Sequence, residues 1–253
     1  MIRTISIIVG RDVLRFWRQR GRMVSSLLAP VVILVVFGSG YGALLRAGDQ
    51  YRKFLLAGMV LQAMIFSANI SGSSLIWDRE FGFLKVVTLA PVPRSWLALG
   101  KITGAAVQAV MHGIVFLFAA PLVGVWLSPL QFCSALTIIA VLAMGLAGLA
   151  LTVASRSRTY EDFNALMLFF SIPMLFMSGA HFPVLELPTW LRTVAMINPV
   201  TYGVDLLKHL FIAQDAMGRW TPDFPVGLDL VVLAVFTVVT VTASVLVFRL
   251  REA

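Results

Sequence analysis

Six long apolar runs constrain what this chain can fold into more than any other feature of its sequence. The runs cover residues 24–45, 54–76, 102–127, 131–154, 163–182 and 227–248. Each is close to the roughly 20 residues that a helix needs to cross the hydrocarbon layer, and their continuous character favours helices over the strands of a membrane barrel. Charged residues make up only 13% of the 253, against roughly a quarter in a soluble domain. We therefore expect an all-α membrane protein with six transmembrane helices, of which the run 163–182, interrupted by Pro173, is the weakest.

The basic residues predict the orientation of the chain. If the N-terminus is cytoplasmic, the inside segments hold 14 of the 20 Lys and Arg residues and the outside segments hold 6. By the positive-inside rule, both termini then lie in the cytoplasm. The net charge of +8 serves orientation and contact with lipid headgroups, so we expect membrane lipid and no nucleic acid as a partner. A single cysteine, Cys133, excludes an internal disulfide and a cysteine metal cluster.

Residues 2–22 predict an amphipathic helix before the first span. Apolar side chains share one face, and arginines recur on the other at helical spacing; the residues we expect to anchor this helix are Arg11, Arg15, Phe16, Trp17 and Arg18. This pattern is typical of a helix in the membrane interface, with arginines toward phosphate groups. A basic segment that only sets topology is the alternative. We expect one transmembrane domain over 1–253, with an interface helix (1–23), a six-span bundle (24–248) and a cytoplasmic tail (249–253).

A charged island separates the second and third apolar runs. Its candidate functional residues are Asp78, Arg79, Glu80, Phe81, Gly82, Phe83, Leu84 and Lys85. Acidic, basic and aromatic side chains occur together here, on the side of the membrane that we predict to be cytoplasmic. Pro91 and Pro93 end any helix, so we expect a short helix over roughly 78–89. It is a candidate contact for a soluble partner, and a solvated loop is the alternative.

The segment 179–226 is the longest connection and is predicted to lie outside. It contains two helix-like pieces, about 188–196 and 199–213, too short and too polar to span, which predicts a re-entrant or interfacial hairpin. Its candidate residues are Phe182, Pro183, Pro188, Trp190, Pro199 and Tyr202. Trp190, Phe211 and Trp220 suit the outer interface, where aromatic rings collect.

Polar residues within the spans have two interpretations. Gln62 and Asn69 share one face of the second span, and Gln108 and His112 share one face of the third. They could line a substrate path or a dimer seam, or they could make ordinary hydrogen bonds between helices. A stripe of alanines with Gly148 in the fourth span indicates close helix packing, within the subunit or across a dimer.

Motifs of enzyme chemistry are absent from the sequence. No phosphate-binding loop is present, since Gly100-Lys101 is followed by Ile102. The three histidines lack metal-ligand spacing, and no Gly-x-Ser-x-Gly motif occurs. We therefore expect a protein that is not an enzyme, binds no metal or cofactor directly and has no nucleotide site of its own.

Two local patterns resemble the permease subunits of ABC type-2 exporters. The first is Asp78-Arg79-Glu80-Phe81-Gly82-Phe83-Leu84, with Pro91-x-Pro93-Arg94 and Gly100-Lys101 behind it. The second combines Ser178-Gly179-x-x-Phe182-Pro183, Leu187-Pro188-x-Trp190-Leu191 and Asn198-Pro199-x-Thr201-Tyr202. The order of these patterns and the arrangement of the spans extend the resemblance over almost the whole chain. The branch that it most resembles contains the Nod-factor and drug-resistance exporter permeases.

The resemblance implies one half of an export channel in a bacterial inner membrane. Two permeases, identical or related, would pair above two cytoplasmic ATPase subunits, which would supply ATP and Mg²⁺. The island 78–89 would be a coupling helix in a groove of the ATPase. The substrate would be an amphipathic drug, a lipo-oligosaccharide, a polysaccharide or a lipid. A membrane assembly factor or scaffold, and an ATP-independent facilitator, are the alternatives.

Overall fold

The computed structural model describes residues 9–11, 13, 14, 18, 20–44, 48–82, 93–212 and 220–251. These residues form helices joined by turns and short links, with no strand among them, which confirms the all-α class. The helices are α1 (Arg20–Leu44), α2 (Gly48–Glu80), α3 (Arg94–Ala119), α4 (Pro129–Arg156), α5 (Tyr160–Phe176), α6 (Thr189–Ile197), α7 (Pro199–Phe211) and α8 (Val226–Arg251), with 3₁₀ turns at Ala120–Val123 and Val184–Glu186.

Five helices of the described residues are long and apolar enough to cross a membrane. Their spanning segments are Ser26–Leu44, Asp49–Glu80, Ser95–Val123, Pro129–Arg156 and Val226–Leu250. The predicted run 163–182 instead corresponds to α5, a helix of 17 residues. At 1.5 Å per residue α5 is about 25 Å long, a little less than the roughly 30 Å of the hydrocarbon layer. The structure therefore supports five of the six predicted spans by length and composition.

Helix α2 is the centre of the bundle and packs against α1, α3, α4, α5 and α7. The small-residue stripe of α4 faces α8, because a Cβ on Gly148 would lie 2.9 Å from the backbone of Thr240. Thr237 of α8 also donates a hydrogen bond to the Val141 carbonyl of α4, at 3.0 Å. The close approach that Gly148 permits is therefore made within one subunit.

The predicted start of the coupling helix at residue 78 is wrong. Asp78, Arg79 and Glu80 are the last residues of α2, which continues without a break from the membrane-spanning part. The helix ends because Gly82 takes a left-handed backbone conformation, with φ of 70°, and its N–H bonds to the Arg79 carbonyl at 3.1 Å. Phe83, Leu84 and Lys85 lie outside the described residues.

The N-terminal helix is described in part. Residues 9–11, 13, 14 and 18 have helical backbone, in agreement with the prediction over 2–22. Arg15, Phe16 and Trp17 lie outside the described residues.

Candidate functional site

The Asp78 cluster, which consists of Arg11, Asp78 and Lys101, joins three segments at one end of the bundle. Asp78 Oδ2 accepts a hydrogen bond from Arg11 Nη2 at 3.0 Å and a second from Lys101 Nζ. The Asp78 and Lys101 side chains are buried, with 8% and 9% of their surface exposed. One carboxylate therefore ties the N-terminal segment, the end of α2 and the beginning of α3 together.

The cluster changes the role predicted for two charged residues. Arg11, which we expected to face lipid phosphate, pairs with a carboxylate of its own chain, whereas Arg18 is exposed as predicted. Asp78, which we expected to face a partner, is buried. The sequence marked Lys101 only as part of a motif, because its pairing with Asp78 depends on how α2 and α3 pack.

A second set of contacts holds the end of α2 against the link between α4 and α5. Arg79 Nη1 donates a hydrogen bond to the Ser157 carbonyl at 3.0 Å. The rings of Trp77 and Tyr160 stack with their centroids 6.0 Å apart. The end of α2 is therefore in direct contact with the link between α4 and α5, and the Arg79 side chain bonds to its own chain.

The tip of α2 projects beyond these contacts. Glu80 is exposed, and 83% of the Phe81 surface is accessible, which is unusual for a large aromatic side chain. Gly82 has open space where a Cβ would lie. Among the described residues of the predicted coupling segment, these three are the ones that offer a surface to a partner. We call Glu80, Phe81 and Gly82 the α2 tip.

The polar residues of the third span bond to neighbouring helices. His112 Nδ1 lies 2.9 Å from the Gln108 carbonyl and must donate to it, so Nε2 accepts from Ser26 Oγ of α1 at 2.7 Å. Gln108 Oε1 accepts from Ser71 of α2 at 3.2 Å. Both side chains are buried within the subunit, so these bonds match the packing interpretation.

The polar residues of the second span are less completely paired. Asn69 Nδ2 donates a weak hydrogen bond to Ser171 Oγ of α5 at 3.4 Å, and the Asn69 Oδ1 atom is buried with no hydrogen-bond partner. Gln62 Oε1 is likewise buried with no hydrogen-bond partner. Among the buried side-chain oxygens that lack a donor, these two belong to residues that we predicted to line a path or a seam.

The segment predicted to be an outer hairpin contains two helices, of which α6 is mostly exposed and α7 is mostly buried. Asn198 lies between the two helices: its Oδ1 accepts from Val200 N at 3.2 Å, and its Nδ2 donates to the Met174 and Met177 carbonyls at 3.0 and 3.2 Å. Tyr202 donates its hydroxyl to the Met196 carbonyl at 2.7 Å. The hairpin is thereby fixed to the end of α5.

The aromatic residues of the hairpin differ from the prediction. Trp190 and Phe182 are exposed, as an interfacial position requires, and Pro188 is exposed beside them. Pro183 is buried and Pro199 is half-buried at the start of α7. Phe211 and Trp220 are buried, in contradiction to the outer-interface prediction. The Trp220 ring packs against Tyr51 and Phe54 of α2, with centroids 4.8 and 5.3 Å away, because α7 inserts beside α2.

An apolar groove lies between α4, α5, the α6–α7 hairpin and α8. Its volume is about 420 Å³, and its wall includes Phe169, Pro173, Ile197 and Phe236. Nearly all of the lining is carbon. A groove of this size and character accepts the apolar part of a small amphipathic molecule.

Comparison with known proteins agrees with this architecture. Residues 3–212 match the family described as "ABC-2 type transporter". Nodulation protein J of Rhizobium leguminosarum bv. viciae is 27% identical over 96% of this chain and 95% of its own length. Nodulation protein J of Sinorhizobium fredii is 28% identical over 88% and 84%, and ycf38 of Porphyra purpurea, whose name describes a transport permease, is 27% identical over 85% and 76%.

The family match covers most of the chain, from residue 3 to residue 212. Permeases of this family are membrane transport components rather than enzymes, and they normally work with an ATPase partner. The five long apolar helices of the described residues agree with a role in the membrane. The chain belongs to the ABC-2 type transporter family and is a multi-pass membrane transport permease.

Proposed function

We propose that this permease is the membrane subunit of an ATP-driven exporter. A second permease, identical or related, pairs with it, and two cytoplasmic ATPase subunits bind ATP and Mg²⁺ beneath the pair. Residues 1–253 act as one transmembrane unit of a bacterial inner membrane, with α5 as the sixth span and both termini in the cytoplasm. The observation that carries the proposal is the exposed α2 tip beside the buried Asp78 cluster.

The α2 tip has the chemistry of a docking element. Glu80 can pair with a basic group of the ATPase, and Phe81 can fill an apolar groove, where burial of an aromatic side chain contributes strongly to affinity. Gly82 lets the partner approach the backbone closely. Asp78 and Arg79, which directly precede the tip in the sequence, are hydrogen-bonded to other segments of the same chain. A displacement of the tip is therefore carried directly into those segments.

The groove between α4, α5 and α8 supports a proposal for the substrate class, because its apolar lining accommodates a hydrocarbon or aromatic moiety. We propose an amphipathic or lipid-linked substrate such as a drug, a lipo-oligosaccharide, a lipid or a lipid-linked polysaccharide. Two permeases that face each other would enclose the groove on its open side.

Gentle purification from the native membrane tests the proposal. We expect an ATPase subunit with a phosphate-binding loop to co-purify, and ATP hydrolysis by the complex to respond to substrate in nanodiscs. Glu80→Ala should weaken the complex or uncouple hydrolysis from transport, because Glu80 is exposed and its loss leaves the fold intact. Glu186→Ala, at an exposed glutamate in the 3₁₀ turn that precedes α6, is the matched control.

The alternatives give different results in the same experiment. Recovery of the permease alone, in detergent that keeps related complexes whole, would favour a scaffold if no transport is measured. Transport without an ATPase would favour a facilitator. Normal coupling in Glu80→Ala, with the ATPase present, would disprove the docking role of the α2 tip but not the exporter assignment.

A further inference from the structure

Four charged residues and one histidine are packed together where α7 meets the start of α8. Asp205 and Lys208 lie on α7 with none of their surface exposed, and Asp229 lies in the first turn of α8, also fully buried. Asp223 precedes α8, and its carboxyl group is 3% exposed. His209 is partly exposed at the edge of the cluster, with 26% of its side chain accessible. We call these five residues the α7–α8 cluster.

Two of the carboxylates are well satisfied. Lys208 Nζ donates to Asp223 Oδ2 at 2.9 Å, lies 3.5 Å from Asp205 Oδ1 and sits 4.3 Å from the centre of the Phe54 ring. Asp205 also accepts backbone N–H bonds from Asp223, at 2.9 and 3.0 Å, and from Phe224, at 2.9 Å. Burial raises the pKa of Asp205, while the Lys208 ammonium and these backbone donors act in the opposite direction.

The Asp229 carboxylate lacks hydrogen bonds: both of its oxygens are buried and have no hydrogen-bond partner. His209 Nε2 lies 3.8 Å from Asp229 Oδ2 and 3.9 Å from Asp205 Oδ2. Within the α7–α8 cluster, three carboxylates face one ammonium, which leaves two negative charges when all three carboxylates are ionised and His209 is neutral. Buried charge of this kind is costly unless a cation compensates it.

We propose that Asp205, His209 and Asp229 bind a divalent transition-metal ion, with Zn²⁺ the best fit. One ligand atom from each residue lies within 4.8 Å of the others. Bonds of about 2.0–2.2 Å in a tetrahedron place ligand atoms about 3.4 Å apart. The separations of 3.8 and 3.9 Å from His209 need to shorten by about half an ångström, and the separation between the two carboxylates, within 4.8 Å, by at most about 1.4 Å. A divalent ion also neutralises the two excess charges.

The donor set selects the class of metal. Imidazole with carboxylates suits zinc and its first-row neighbours, whereas Ca²⁺ prefers six or more oxygen ligands. Asp205 offers few free lone pairs, because it already accepts three hydrogen bonds. His209 Nε2 now lies 2.9 Å from the Phe224 carbonyl, to which it must donate. Metal binding at Nε2 would replace that bond, and in the neutral ring the displaced proton moves to Nδ1. The partly exposed ring of His209 provides the route of entry.

The site would join the buried helix of the outer hairpin to the last span. His209 and Asp205 belong to α7, and Asp229 belongs to α8. A bound ion would therefore fix the hairpin against α8 from the side on which the hairpin is predicted to meet the external medium. This role is independent of the ATPase contact at the α2 tip.

The test uses the full chain in nanodiscs, purified with an affinity tag that contains no histidine and stripped with a chelator. Zn²⁺ is then titrated by calorimetry, bound metal is counted by mass spectrometry, and the melting temperature is recorded. We expect one Zn²⁺ per chain and a higher melting temperature with Zn²⁺. Asp229→Asn and His209→Gln should each weaken binding by at least about 10-fold, since even the outer partners of metal ligands contribute that much. Asp49→Asn, at an exposed outer carboxylate, should bind as the original chain does.

Asp229→Asn separates a metal ligand from a structural carboxylate. Because asparagine removes an unpaired buried charge, the metal-free variant should melt at or above the temperature of the metal-free original chain, and Zn²⁺ should not raise it. A stripped chain that takes up no Zn²⁺ would overturn the proposal. Binding that is unchanged in both Asp229→Asn and His209→Gln would also overturn it. Neither result bears on the ATPase contact, which is measured separately.

Discussion

The Asp78 cluster gives the most direct test of the structure, through the substitution Asp78→Asn. Asparagine keeps the shape of the side chain but loses the charge that holds Arg11 and Lys101. Lys101 is then a buried ammonium without its carboxylate, in a side chain that is only 9% exposed. We expect a loss of stability dominated by Lys101, and a smaller contribution from Arg11, whose side chain is 31% exposed.

The magnitude follows from this burial. Removing one partner of a buried ion pair costs about 3–5 kcal/mol. Asparagine can still accept one hydrogen bond, so we expect the lower end, about 3 kcal/mol. A chain of this size loses about 2–4 °C of melting temperature per kcal/mol. The melting temperature in nanodiscs should therefore fall by roughly 6–12 °C.

A double-mutant cycle with Lys101→Met identifies the cause. If the lost charge pairing at Lys101 dominates, the double variant should be more stable than the sum of the single losses predicts, by about 1–3 kcal/mol. The control is Asp49→Asn, which breaks the exposed pair between Asp49 and Arg52, 3.2 Å apart, and should cost less than about 1 kcal/mol. An Asp78→Asn loss as small as that of Asp49→Asn, or strictly additive effects in the cycle, would refute the buried-cluster interpretation.

Three further predictions concern packing, docking and capping. Gly148→Ala should destabilise the bundle by about 1–3 kcal/mol in thermal unfolding, because its Cβ would lie 2.9 Å from the backbone of α8, whereas Gly40→Ala, with open space around it, should be tolerated. Phe81→Ala should reduce the ATPase recovered in pull-down at an unchanged melting temperature, since its ring is exposed; an equal yield would argue against docking there. Asn198→Ala should cost at least about 1–2 kcal/mol from the lost helix cap and speed proteolysis of the hairpin, while Thr193→Ala, at an exposed position within α6, should not.

Much of the fold could be predicted from hydrophobicity and helix-breaking residues. Five predicted runs coincide with long apolar helices, with their ends displaced by one to seven residues. The hairpin pieces, predicted at 188–196 and 199–213, appear as Thr189–Ile197 and Pro199–Phe211. These predictions succeeded because Pro188 and Pro199 mark helix starts and because length and polarity separate short helices from spans.

The candidate site could not be predicted from local pattern alone. Arg11 and Asp78 are 67 positions apart, and Asp78 and Lys101 are 23 apart, so their pairing depends on how the helices pack. The same limit explains the buried position of Trp220. Length and polarity predicted a re-entrant or interfacial hairpin, and the structure shows Lys208 of α7 fully buried, because two carboxylates and an aromatic ring surround its ammonium.

The continuity of α2 connects the two ends of the molecule. This helix has 33 residues, which corresponds to about 50 Å, and it runs unbroken from the buried hairpin helix to the α2 tip. Near its start, a Cβ on Gly58 would lie 2.4 Å from the Ala180 carbonyl oxygen, so helix and hairpin are in backbone contact. At its other end, Asp78 is tied to the N-terminal segment and α3. Because α2 is continuous, we expect a displacement at Glu80 and Phe81 to reach both the segments bonded to Asp78 and, through the helix itself, the link around Ala180.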